Sequence, residues 1–265
     1  MSQIKLDMLI TVGRSAFDSE LFKLVENFQC NLKALLPICG KPIIEWIIDA
    51  VEQCERIRDI YIVGLSPEQF PDTRVTCIPH PAESKIVDKI QAWIDWYEEN
   101  KGELPKYIIH ANSDIPLITS EAIDYFVKEA LEKEADFVCP LVEKDLMVAK
   151  YPNSMRTYTK FNDITFCGGD IYLYSPIDFY KVKEKVHKLQ VKRKSFLLQA
   201  IFLSPIKTLK MIFKGVNLEE VETVFSRGMR MKGRAIISPY AEVAMDIDKP
   251  EQYKLIEKML CDSLK

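Results

Sequence analysis

The sequence predicts an α/β protein, a three-layer sandwich with a mostly parallel, mixed central sheet and helices on both faces. Three observations predict it. Short apolar runs alternate with amphipathic stretches along the first half of the chain. The strand candidates are nearly continuous in apolar residues, as strands buried on both faces are. Several of them end on a glycine or an aspartate, at Gly13, Gly64 and Asp114. In open parallel sheets, ligands bind beyond such carboxyl ends, near a switch in strand order.

The elements follow in order. Met8 to Val12 reads as a first strand ending at Gly13. Pro42 to about Cys54 reads as a helix, with Pro42 at its first position and Ile43, Ile44, Ile47, Ile48 and Val51 on one face. Asp59–Val63 and Arg74–Ile78 are strands, and Ser84 to about Asn100 is a helix with Ile86, Ile90, Trp93, Ile94 and Tyr97 on one side. Lys106–Ile109 begins a buried strand that runs into His110-Ala111-Asn112-Ser113-Asp114-Ile115-Pro116. A charge at a core edge needs compensation, and the residue before proline avoids helix, so Ile115 keeps this exit extended. Ser120 to about Lys133 is a helix and Asp136–Val142 a strand.

The second half is less regular. Thr157–Phe161 and Asp170–Tyr174 read as strands flanking Cys167-Gly168-Gly169. Helices are expected over 177–190, over 195–214 with a break at Pro205, over 218–227 and over 249–260, with a late strand at 235–237. The whole of 1–265 is expected to be one domain with a helical insertion around 177–230.

Bulk properties narrow the function classes. A chain of 265 residues is long enough for a substantial core. Its net charge of −3 provides no global field for nucleic acid or anionic membrane. The longest apolar runs fall short of the roughly 18–20 residues a membrane span needs, and the N-terminus lacks a signal peptide's apolar region. The seven cysteines form no CxxC pair, and an odd number suits free thiols in a reducing cytoplasm. The three histidines are scattered, which argues against structural zinc.

Three segments carry candidate chemistry: Asn31-Leu32-Lys33-Ala34-Leu35-Leu36-Pro37-Ile38-Cys39-Gly40-Lys41-Pro42, then Ser113-Asp114-Ile115-Pro116, then Met245-Asp246-Ile247-Asp248-Lys249-Pro250-Glu251. In this order and at these separations they resemble the nucleotidyltransferase superfamily with a MobA-like domain, of the GT-A type. Ala135–Val142 and Thr165–Pro176 extend the resemblance over most of the chain.

The resemblance implies transfer of a nucleoside monophosphate from an NTP to a phosphorylated or hydroxyl acceptor, with release of pyrophosphate. It implies a Mg²⁺ (or Mn²⁺) cofactor, held by Asp114 and one aspartate of the Asp246/Asp248 pair. Asp248 fits better, because it immediately precedes Lys-Pro-Glu. Lys33 is implied as the phosphate-contacting cation, a point charge suited to that task. Lys41 reads as structural. Thr11, Val12, Gly13 and Arg14 fall where the family has a glycine-rich nucleotide loop, which lets amides approach phosphate. One glycine stands here, so this loop cannot take the usual shape unchanged.

His80–Ser84 falls where the family contacts the base, although Ser84 reads more simply as the N-cap of the next helix. Gly168, Gly169 and Asp170 match a segment near the acceptor, with Asp170 in place of Asn. A strand-edge turn accounts for Asp170 equally well. The basic run Lys192-Arg193-Lys194 suits a solvated helix end or an anionic acceptor.

The leading expectation is therefore a Mg²⁺-dependent nucleotidyltransferase acting on an NTP and an anionic small-molecule acceptor, with no nucleic acid or membrane partner. Two alternatives stand beside it. One is a GT-A glycosyltransferase using a nucleotide sugar, with Asp246-Ile247-Asp248 as its D-x-D. The other is a catalytically degenerate nucleotide-binding protein acting through partners, which the altered first loop motivates.

Overall fold

A computed structural model describes residues 4–14, 18–25, 32–191 and 215–264. The expected helix over 195–214 and the Lys192–Lys194 run lie outside these residues, as do Phe202-Leu203 and Met211–Phe213, whose apolar character suits a lid, a core layer or a dimer patch alike, and Cys30 and Asn31.

The described residues form a nine-stranded mixed sheet with helices on both faces. Its first half contains β1 (Leu6–Thr11), β4 (Ile57–Val63), β5 (Thr76–Ile78) and β6 (Ile108–Asn112). β1 pairs in parallel with β4 on one side and with β6 on the other, and β4 pairs in parallel with β5. The chain thus moves outward from β1 through β4 and β5, then returns to the far side of β1. That reversal is the switch point, and it sets the residues after β1 beside those after β6.

Beyond β6, β10 (Ile171–Tyr174) pairs antiparallel with both β6 and β7 (Phe137–Glu143). β7 also carries β9 (Thr165–Gly168), antiparallel, and β11 (Gly233–Ile237), parallel, and β8 (Thr159–Lys160) pairs with β9. Cys167 and Gly168 lie within β9, not in a linker between strands as the sequence suggested.

Alternate residues of one strand feed opposite layers, which is the pleat at work. Met8 and Ile10 face the larger core, packed by α2 (Ile43–Glu52), α4 (Ser120–Glu132) and α8 (Pro250–Ser263). Leu9, Tyr61 and Ile108 face the other core, under α3 (Ile86–Lys101) and the start of α6 (Pro176–Val191). Trp93 on α3 is fully buried there. The short α1 (Asp18–Phe22), α5 (Lys144–Lys150) and α7 (Leu218–Met229) complete the helices. α5 was not legible in the sequence: of its seven residues only Met147 is buried. Among the described residues no helix is long and apolar enough to cross a membrane.

Three local details correct the sequence reading. Pro42 is not the first residue of α2; it ends a small hairpin, β2 (Pro37–Ile38) and β3 (Lys41–Pro42), and α2 begins at Ile43. The hairpin turns through Cys39 (φ 51°) and Gly40 (φ 79°), the two positive φ values a tight two-residue turn requires. Ser84 is not the N-cap of α3. That position is Lys85, whose amide donates to the Asp88 carboxylate, while the Ser84 hydroxyl donates to the Pro81 carbonyl. Finally, not all thiols are free: Cys39 and Cys261 form a disulfide that ties the hairpin turn to α8, while Cys54, Cys77, Cys139 and Cys167 are free.

Candidate functional site

Lys33 sits in a 3-10 turn, Lys33–Leu35, whose neighbours Leu32, Ala34 and Leu36 are buried. Their anchoring, and the Ile43 amide bond to the Leu36 carbonyl, fix where the lysine leaves the backbone. Its side chain is buried too, and the ammonium donates to Asp114 Oδ2 at 2.6 Å, to the Ile247 carbonyl at 2.7 Å and to Asp248 Oδ1 at 3.2 Å. Three acceptors compensate a charge that burial alone would make costly.

Asp114 follows β6, two residues past the strand end, with Ile115 fully buried behind it. Its carbonyl accepts the Ile247 amide at 3.0 Å, which joins the β6 exit to the segment before α8. Its Oδ1 is buried without a hydrogen-bond partner among the described residues. Asp248 has a different setting: its side chain is 65% exposed, its amide donates to Gln252 Oε1, and Gln252 in turn donates to the Ser154 carbonyl. It caps no helix, since the N-cap of α8 is Lys249.

Asp246 is engaged elsewhere. Arg156 makes a close ion pair with it, donates to the Gly168 carbonyl at 2.9 Å, and lies 3.9 Å from Asp170 Oδ2. Asp170 accepts from Asn112 Nδ2 at 2.8 Å through its other oxygen. Burial pushes the Asp246 carboxyl up to about 6, opposed by Arg156 and reinforced by Asp114 and Asp248. Burial, then Asp246 and Asp114, raise Asp170 well above the usual carboxylate range. Four aspartates thus share one region with two cations, Lys33 and Arg156. Arg156 escaped sequence reasoning because Asn153-Ser154-Met155-Arg156 carries no pattern. Asn112 belongs to the strand exit that leads to Asp114, and its alternation with that residue is the available signal.

Gly168 and Gly169 stand beside this cluster. A Cβ on Gly169 would come within 2.8 Å of Pro140 and 3.0 Å of the Val243 carbonyl, so the glycine permits that close approach. The Asp170 amide donates to the same Val243 carbonyl at 2.8 Å.

The first loop lies on the other side of the switch point. Thr11 is buried and its hydroxyl bonds His110 Nε2 at 2.9 Å. Val12 is fully buried and its amide donates to the Val63 carbonyl. Gly64 allows this packing, since a Cβ there would stand 2.3 Å from the Val12 carbonyl oxygen. The Arg14 amide donates to the Ala82 carbonyl at 3.1 Å, and its exposed guanidinium lies 3.6 Å from Glu83. Gly13 and Arg14 therefore border the 80–85 loop that contains Ser84. Lys41 is distant in role: it pairs with Asp49 and lies 4.1 Å over the Trp46 ring.

Among the described residues no three His, Cys, Asp or Glu side chains converge to hold a metal by themselves. Asp114 and Asp248 nevertheless offer the oxygen donors that Mg²⁺ prefers, and that ion commonly takes only one or two carboxylates beside substrate phosphates. The unpartnered Asp114 Oδ1 fits such an ion.

The family described as the MobA-like NTP transferase domain matches residues 29–172. No curated protein sequence matches the chain. Among solved structures, a hypothetical transferase from Thermus thermophilus is 25% identical, with a TM-score of 0.77 over 94% of this chain and 100% of that one. A CMP:2-keto-3-deoxy-manno-octonic acid synthetase complexed with CTP is similar at 11% identity and a TM-score of 0.58, covering 98% of this chain and 99% of its own. A 2-C-methyl-D-erythritol 4-phosphate cytidylyltransferase, also from Thermus thermophilus, aligns at 9% identity and a TM-score of 0.55, over 97% of this chain and 98% of its own. The last two likenesses show the fold alone. The family match spans more than half of the chain and contains the Lys33 turn, the Asp114 strand exit and the Gly168–Asp170 segment, so the chain belongs to the MobA-like NTP transferase domain family.

Proposed function

We propose that this chain transfers a nucleoside monophosphate from an NTP to a small, anionic phosphorylated or hydroxyl acceptor, releasing pyrophosphate. The observation that carries the reading is the position of Lys33, whose ammonium bonds Asp114 and reaches Asp248 from a buried turn. One cation and two carboxylates therefore meet at the switch point of the sheet.

Asp114 and Asp248 would hold Mg²⁺ (or Mn²⁺), which when bound supplies Lewis-acid stabilisation of charge on the phosphates. Lys33 would turn from Asp248 toward the α-phosphate, since that bond is its longest and Asp248 is the exposed partner. Its charge would then lie where negative charge builds as the acceptor attacks. Gly13, Arg14 and the 80–85 loop, with Ser84, would border the nucleotide, with Thr11 and Val12 as the buried base of that edge. Gly168, Gly169 and Asp170 would face the acceptor. Arg156 would hold Asp246 away from the metal, which supports Asp248 as the second ligand.

A thermal-shift panel tests the reading: CTP, ATP, GTP and UTP, each with and without Mg²⁺. CTP goes first because one similar solved structure is a complex with CTP and another is a cytidylyltransferase. Ligand at about 100 times Kd adds about 2.7 kcal/mol, or several degrees for a chain of this size. A Mg²⁺-dependent shift with one NTP, followed by pyrophosphate release in an acceptor screen, is the expected result. A shift with nucleotide sugars alone would favour the glycosyltransferase reading, and binding without turnover toward any acceptor would favour a nucleotide-binding protein.

A further inference from the structure

Lys89, one turn into α3, has only 3% of its surface exposed. Its ammonium donates to the Ala82 carbonyl at 3.0 Å and the Ser84 carbonyl at 2.7 Å. Among the described residues no carboxylate reaches it; Glu83 and Asp88 act only from farther away, and burial pushes its pKa down. An ammonium buried without a counter-charge is costly, and neutral carbonyls recover only part of that cost.

The position of this charge is informative. The ammonium lies 3.5 Å from where a Cβ on Gly13 would stand. The Ala82 carbonyl that it binds also accepts the Arg14 amide. One carbonyl therefore joins the loop after β1 to the 80–85 loop, and Lys89 sits beneath the junction. With a single glycine, the first loop lacks the run of free amides that glycine-rich loops turn toward phosphate. The Val12 and Arg14 amides are already committed to carbonyls. A fixed side-chain charge is the other means of attracting an anion to this edge.

We propose that Lys89 is a positioning residue for the polyphosphate of a bound nucleoside triphosphate, acting through the Gly13–Arg14 loop, beneath which it places a positive charge. The inference rests on the nucleotide reading above. It differs from a purely structural tie in sign. If the charge serves a ligand, its removal leaves the free protein as stable or more stable and weakens binding.

The test compares wild type with Lys89→Met, which keeps chain length and removes charge, and Lys89→Arg, which keeps charge. Titration calorimetry with Mg²⁺ measures inorganic tripolyphosphate and each of the four nucleoside triphosphates, and urea unfolding measures the ligand-free proteins. The expected result is unfolding of Lys89→Met at or above the wild-type urea midpoint, binding weaker by about tenfold, and most binding kept in Lys89→Arg. Equal binding by Lys89→Met and wild type overturns the proposal. So does a lower urea midpoint for Lys89→Met together with weaker binding, since Lys89 would then only hold the loop. Wild-type protein that binds none of these probes overturns the nucleotide reading itself, a failure seen without any variant.

Discussion

The Lys33 ammonium lies 2.6 Å from Asp114 Oδ2, bringing together two residues 81 positions apart in the chain. The contact closes the switch point: one partner comes from the turn before the β2–β3 hairpin, the other from the exit of β6. Replacing Lys33 by Met is expected to lower pyrophosphate release by at least about a hundredfold, the scale of losing one charge-stabilising donor. Asp114→Ala is expected to abolish Mg²⁺-dependent release while retaining the far-UV circular dichroism of wild type. Wild-type rates in either variant would remove that residue from the proposed chemistry.

Arg156 is the second cation of the cluster, and it serves Asp246 and Asp170. Arg156→Leu leaves two largely buried carboxylates without their neutralising partner. The expected cost is about 3–5 kcal/mol, as for other broken buried pairs, read from urea denaturation at neutral pH. Adding Asp246→Asn to that variant should recover part of the loss. No recovery would show that Arg156 acts through its packing.

His110 gives the protein an acid-sensitive element. It is fully enclosed between β1 and β10, and burial lowers its pKa to about 3 from an ordinary 6.5. The unfolded chain therefore takes up a proton as pH falls below about 6.5, whereas the folded protein does not. The resulting stability is fully present above that pH and is lost as pH falls toward 3, with a slope of at most about 1.4 kcal/mol per pH unit. Stability measured at pH 7, 6, 5 and 4 should fall less steeply in His110→Gln than in wild type. Parallel curves would show that His110 titrates normally.

The disulfide between Cys39 and Cys261 spans 222 positions and ties the hairpin turn to α8. Cys39→Ser is expected to cost about 2–4 kcal/mol, on the order of 5–10 °C in Tm. A thiol reductant should lower the wild-type Tm to the value of the variant. A wild-type Tm unchanged by reductant would mean that the cross-link does not contribute to stability.

The sequence by itself determined the layers. Ile43, Ile44, Ile47, Ile48 and Val51 marked the buried face of α2, and the continuous apolar character of Met8–Thr11 and Ile60–Val63 marked strands buried on both sides. It also marked where strands end, just before Gly64 and two residues short of Asp114, because glycine and charge cannot extend a buried strand without cost. These are local quantities, set by the period of the backbone. Only the tertiary structure decided that Asp248 meets Lys33 while Asp246 meets Arg156, that Cys39 meets Cys261, and that Lys89 lies beneath Gly13. The physical reason is the same in each case. The partners lie dozens to hundreds of positions apart, and their meeting depends on strand order and on how burial leaves each charge to find its counterpart.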